Sequence, residues 1–118
     1  MQYVMLNYEK TETFAARTND QQEAYWGAWT AYIAALNEAG IMVGGQGLQP
    51  PTVATTVRLA DGKRHVQDGP YADTKEQLAG FFILELPSLD DAMQWAARCP
   101  AASDGVVEIR PVLVMSPP

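Results

Sequence analysis

Apolar and polar positions change their period several times along the chain. From Gln2 to Tyr8 the period is two, with Tyr3, Met5 and Asn7 on one face and Val4, Leu6 and Tyr8 on the other. Both faces are largely apolar, which predicts a central strand. Tyr25, Trp29, Tyr32, Ile33 and Leu36 then fall at i, i+4, i+7, i+8 and i+11. That is one helical stripe, and the alanines between Gln21 and Ala39 add helix propensity. Asp20 with Glu23 fits a capping box at its start, and Gly40 is the expected stop. Trp26 lies off the centre of the stripe.

Ile41 to Val43 begins a second strand that Gly44, Gly45 and Gly47 interrupt, and Val53 to Leu59 reads as a third. Asp61-Gly62 is a two-residue hairpin signal, so Arg64 to Gln67 should fold back on that third strand. Gly80 to Leu86 is almost continuously apolar, as a strand covered on both faces must be. Ser88 and Asp91 form a second capping box, before a helix with Leu89, Ala92, Met93 and Ala96 as its inward stripe. Pro100 stops that helix. Val106 to Val114 is the last strand, with Pro111 at a bulge or an edge because it has no N–H to donate.

This order predicts an α+β fold, the ferredoxin-like βαββαβ arrangement with an added hairpin strand. Two helices on one face of a mainly antiparallel sheet leave the other face bare. An apolar bare face needs a partner, so the expectation is a homodimer with sheets packed face to face.

Composition narrows the function classes. The 118 residues make one domain, 1–118, with 47% hydrophobic and 19% charged residues, a globular balance. A formal charge of −6, with Lys63-Arg64 the one adjacent basic pair, argues against nucleic acid and against an anionic membrane surface. No apolar run approaches the ~20 residues that span a bilayer. The N-terminus lacks a signal-peptide layout, and Cys99 stands alone, so a reducing, cytoplasmic setting is expected. Cys99 itself reads as a semi-buried helix-end residue. One His and one Cys leave no metal constellation. Gly44-Gly45-Gln46-Gly47 lacks the spacing of a phosphate loop and reads as a close backbone approach or a bulge. Neither metal nor cofactor is expected. His65 is predicted to face solvent on its strand.

Candidate chemistry concentrates in DGPYADTKEQLAGFF, residues 68–82. Asp68 is read either as the cap of the Gly69-Pro70 turn or as a general base at the sheet's end. Asp73 to Gln77 is either a solvated turn or a polar mouth. In the second case Lys75 neutralises a substrate anion, Glu76 moves a proton and Thr74 adds a hydroxyl. Tyr8, Trp26 and Tyr71 are the candidates for an aromatic pocket wall, with core or interface packing as the competing role.

GGQGLQPP at 44–51, DGPYADTKEQLAGFF at 68–82, LDDAMQWAARCP at 89–100 and VEIRPV at 107–112 together resemble the YCII-related proteins. The resemblance is to the branch named for an Asp-Gly-Pro-Phe motif, with Tyr71 where Phe is usual. It implies a dimeric α+β barrel built from ferredoxin-like halves. The wider superfamily includes small lyases, dehalogenases and cofactor-free oxygenases, and a His–Asp pair with its His on the first helix marks activity in the YCII group. Gln21 to Ala39 contains no His, so that pair does not carry over. Some relatives are encoded beside sigma factors. Two readings follow. One is a homodimer that binds a small metabolite, anionic ones included, with cofactor-free acid–base chemistry of lyase or isomerase type. The other is a non-enzymatic accessory module linked to sigma-factor regulation.

Overall fold

The computed structural model describes residues 1–115. Strand β1 (Gln2–Glu9) lies inside a four-stranded antiparallel sheet of order β2-β5-β1-β6, between β5 (Gln77–Glu85) and β6 (Val106–Pro111). Its predicted alternation holds: Tyr3, Met5, Asn7 and Glu9 are buried, while Val4, Leu6 and Tyr8 are half-buried. The buried face meets helix α2 (Gln22–Glu38) and helix α3 (Leu89–Arg98), joining Tyr32, Leu36, Phe82, Leu84, Ala92 and Ala96 in one core. Tyr32 links the two helices, since its hydroxyl donates to the Trp95 carbonyl at 2.8 Å.

Several details differ from the sequence reading. The Asp20–Glu23 box is not made: Asn19 Oδ1 accepts from the Gln21 N–H at 2.8 Å, and α2 starts at Gln22. A turn closed by Asn19 delays the helix, which leaves Glu23 in its first turn without a reciprocal partner. The Ser88–Asp91 box does form, with Ser88 Oγ accepting the Asp91 N–H and donating to its carboxylate. Yet α3 turns Ala92, Trp95, Ala96 and Cys99 inward, and leaves Leu89 and Met93 48% and 50% exposed. Short helices α1 (Thr11–Ala15) and α4 (Pro100–Asp104) span too few residues to show a period.

β2 (Met42–Gly47) does not stop at the glycines but runs through them, with a bulge between Met42 and Gly44. β6 ends at Pro111, short of Val114, and is an edge strand, where the missing N–H is harmless. β3 (Thr55–Ala60) and β4 (Lys63–Asp68) pair around Asp61-Gly62, whose φ values of 51° and 73° are those of the hairpin turn that Asp-Gly favours. These two strands form a sheet of their own rather than an extra strand of the main one. On β5, Phe82 and Leu84 are buried and Phe81 and Ile83 half-buried, so within one chain the strand is covered on one face. None of the described helices is long and apolar enough to cross a membrane.

Candidate functional site

A cavity of about 440 Å³ opens between α2 and the β2–β5 side of the sheet. Trp26, Trp29 and Ile33 of α2 form one wall, and Met42 and Phe82 form the opposite side, with Phe81 contributing backbone beside Gly45. The spacing of the helical stripe puts Tyr25, Trp29 and Ile33 on this side, one turn apart each. Glycine shapes the rest. A Cβ on Gly45 would sit 2.6 Å from the Phe81 carbonyl oxygen and 2.8 Å from a Phe82 ring carbon, so no side chain fits there. Of the two readings of this run, the close approach is found at Gly45 and the bulge between Met42 and Gly44, while a Cβ on Gly44 or Gly47 would meet nothing within 4 Å.

The polar end of the cavity is a side-chain cluster that the motifs did not single out. Glu9 ends β1 on the core face and is 1% exposed. Arg17, just after α1, pairs with its carboxylate at 3.3 Å. Tyr25 donates to the same carboxylate at 2.8 Å and accepts from Arg17 Nε at 3.1 Å. Arg17 also donates to the carbonyls of Leu48 and Ala79, which ties the loop after β2 to β5. Its guanidinium lies 4.9 Å from the Phe14 ring centroid and 5.9 Å from those of Tyr25 and Trp26. Trp26 is fixed in turn, its indole N–H donating to the Arg17 carbonyl at 3.0 Å. A buried carboxylate needs such partners, because an unpaired one would cost several kcal/mol, on the order of 3–5.

Burial, then the hydrogen bond to Glu9, pushes the Tyr25 phenol up to about 12, with Arg17 opposing. Tyr25 is thus a neutral hydrogen-bond donor across the ordinary pH range. Arg17, Tyr25 and Asn7 line the cavity, and Glu9 stands behind Tyr25. The Tyr25 oxygen can accept from a ligand hydroxyl while its own hydrogen goes to Glu9, a path by which the ligand's proton moves onto Tyr25 as the Tyr25 proton moves onto Glu9. Cys99 is fully buried rather than semi-buried, with its thiol on Asn7 Oδ1 at 3.6 Å. Burial raises it to about 11, which makes it a packing residue and not a nucleophile.

Of the residues singled out from the sequence, Trp26 lines the cavity. Asp68, Tyr71, Thr74 and Lys75 are exposed, and Glu76 and Tyr8 are half-buried; none of these six lines it within one chain. Thr74 Oγ1 donates to the Glu76 carbonyl at 2.6 Å, and Gln77 donates back to Ala72 and Thr74. Tyr71 stacks under Arg58, 5.1 Å from the ring centroid. His65 faces solvent, as its alternation predicts. Glu9 was legible in principle, since it continues the parity of Tyr3, Met5 and Asn7 onto the buried face. Nothing periodic marks Arg17; only the fold brings it to Glu9. Among the described residues no cluster of His, Cys, Asp and Glu could hold a metal ion.

The sequence profile of the YCII-related domain matches residues 1–116. This chain belongs to the YCII-related family. An uncharacterized protein of Rhizobium meliloti (strain 1021) is 34% identical over 119 residues, covering 99% of the YCII-related chain and 96% of that protein. Among solved structures, the 5-chloro-2-hydroxyhydroquinone dehydrochlorinase of Burkholderia phenoliruptrix AC1100, in complex with 2,5-dihydroxybenzoquinone, superposes with a TM-score of 0.56. The match covers 96% of the YCII-related chain and 94% of the dehydrochlorinase at 15% identity, so what it establishes is the shared fold. The α+β reading therefore stands, with a mainly antiparallel sheet and the helices on one face.

Proposed function

We propose that this YCII-related protein is a homodimer that binds a small planar metabolite bearing hydroxyl or carbonyl oxygens, anionic forms included. On this reading acid–base chemistry without a cofactor follows binding. The observation that carries the reading is the pairing of Trp26 and Trp29 walls with the Arg17–Tyr25–Glu9 cluster at the end of the cavity. Aromatic walls favour a ring by stacking, and a buried donor set favours an oxygen at its rim. The ligand of the dehydrochlorinase, 2,5-dihydroxybenzoquinone, is of this type and serves as the first probe.

In this mechanism Tyr25 orients the ligand oxygen and relays its proton toward Glu9, while Arg17 holds both in place. Asp68, Lys75 and Glu76 are proposed as further acid–base and anion-anchoring groups that a second copy brings near the cavity, with Tyr8, Tyr71 and Thr74 as neighbouring contacts. Calorimetric titration with 2,5-dihydroxybenzoquinone, a hydroxybenzoate and a short aliphatic acid tests the binding claim. The rings should bind saturably, and Trp29→Leu should weaken them about 10-fold, the worth of one aromatic contact. Absence of binding by every ring, or an unchanged affinity in Trp29→Leu, would overturn it. A non-enzymatic accessory module is the second reading. It is favoured by the Arg17 donors being spent on Glu9, Tyr25 and two backbone carbonyls rather than left free for a substrate.

A further inference from the structure

Among the described residues, the β3–β4 ribbon has a face whose apolar side chains stay exposed. Register places Thr55 opposite Asp68, Val57 opposite Val66 and Leu59 opposite Arg64 on one side. Arg58, Lys63, His65 and Gln67 lie on the other. The first side is apolar in its middle, and Val57, Leu59 and Val66 are 56%, 79% and 56% exposed. A two-stranded hairpin alone is marginal in water, and the bonds at the root of this one, Gly69 N–H to the Ala54 carbonyl and Thr56 Oγ1 to the Gly69 carbonyl, join its two strands to each other.

We infer that the ribbon is an arm that lays its Val57–Leu59–Val66 face on a second copy of this chain, which brings Asp68 to the shared interface. This rests on the homodimer reading above and adds the element that makes the dimer large enough. The bare face of the main sheet carries Val4, Leu6, Tyr8, Phe81 and Ile83, all half-buried and outside the core. Four strands about 4.8 Å apart and about 20 Å long give that face roughly 400 Å². A stable interface needs about 800 Å² per partner, so the sheet face alone falls short. Under a two-fold axis each copy buries its own arm face and the surface beneath the partner's arm, roughly 200 Å² each, which brings the total to the about 800 Å² needed.

Charge points to the same occupant. The arm as a whole carries Arg58, Lys63 and Arg64 against Asp61 and Asp68, a net positive segment on a chain of formal charge −6. On the docked face Arg64 and Asp68 balance, and the excess lies with Arg58 and Lys63 on the outer face. A second copy therefore offers it an acidic body, which one two-fold axis supplies to both arms at once. The single-chain shape agrees: its Cα radius of gyration is 16.2 Å, against about 13–14 Å for a compact domain of this length.

The test uses the full chain, with unlabelled and 15N-labelled protein mixed and treated with a carbodiimide that couples Lys63 to carboxylates. Sedimentation is measured in parallel on wild type and on Leu59→Asp, an exposed position whose change spares the core. The expected result is a wild-type dimer, mixed-isotope links from Lys63, and dimer dissociation at least ten-fold easier in Leu59→Asp. A wild-type dimer with no mixed links from Lys63 and no change in Leu59→Asp overturns the arm and leaves the homodimer standing. A wild-type monomer at micromolar concentration overturns both. Arm amides that exchange slowly only when a foreign protein or lipid vesicles are added, and not on raising the concentration of this chain, also overturn the arm.

Discussion

Alternation in β1 sends Tyr3 and Met5 under the helices, where they are 3% and 1% exposed; the same alternation in β3 sends Val57 and Leu59 into solvent at 56% and 79%. The two segments obey one period and differ in what lies above them. In the main sheet, α2 and α3 complete the layer within the chain. On the ribbon, Val57, Leu59 and Val66 stay exposed among the described residues. Hydrophobic patterning thus specifies which face wants cover, and says nothing about which molecule provides it.

The largest effect should come where that contrast is sharpest, at the buried polar end of the main sheet. Glu9→Gln removes the partner of Arg17 and should cost about 3–5 kcal/mol in urea unfolding. Glu76→Gln, changed in the same way on the self-bonded turn, should stay within about 0.5 kcal/mol. Equal losses would mean that the cluster is not what holds the site.

Next, Leu36→Ala, at 0% exposure, should lose about 3 kcal/mol at any protein concentration. Leu59→Ala should lose stability only at concentrations where the wild type is dimeric. A concentration-independent loss at Leu59 would show the ribbon packed on its own chain.

Alkaline pH gives a smaller and graded effect. Burial raises the Cys99 thiol from 9.0 to about 11 and the Tyr25 phenol from 10.0 to about 12. Folding therefore favours the neutral form of each, and that stability is complete below pH 9. It is lost as pH rises through about 11 for Cys99 and about 12 for Tyr25. Melting curves should be flat with respect to these two groups up to pH 9 and fall above it, with the Tyr25 share missing in Tyr25→Phe. The smallest effect is expected at Asp68→Asn, within about 0.5 kcal/mol for an exposed residue. A drop in ligand turnover without a drop in stability there would support its acid–base role.

The sequence made the architecture legible where several signals agreed on one element. The stripe from Tyr25 to Leu36, the Asp61-Gly62 turn and the Ser88 box each combine a period or a turn with a stop. The polar end of the site was not legible for a physical reason. Glu9, Arg17 and Tyr25 come from a strand, a loop and a helix, and only tertiary packing makes them neighbours. Dense polar sequence such as DTKEQ draws the eye instead, because short-range hydrogen bonds like Gln77 to Thr74 need just such residues. The glycine run was read as a close approach or a bulge, and the structure has the first at Gly45 and the second beside Gly44, while the cavity beside Trp29 depends on where α2 lands.

The central claim is that a ring-shaped ligand enters the cavity between Trp26, Trp29 and the Gly45 floor. The three tryptophans allow a direct test, because Trp95 packs with Tyr32 and Arg98 away from that cavity. Indole N–H signals in a 1H–15N spectrum should be followed through a titration with 2,5-dihydroxybenzoquinone. The account predicts that the Trp26 and Trp29 signals move together and saturate while Trp95 stays still; a still Trp26 and Trp29, or equal movement of all three, would contradict it.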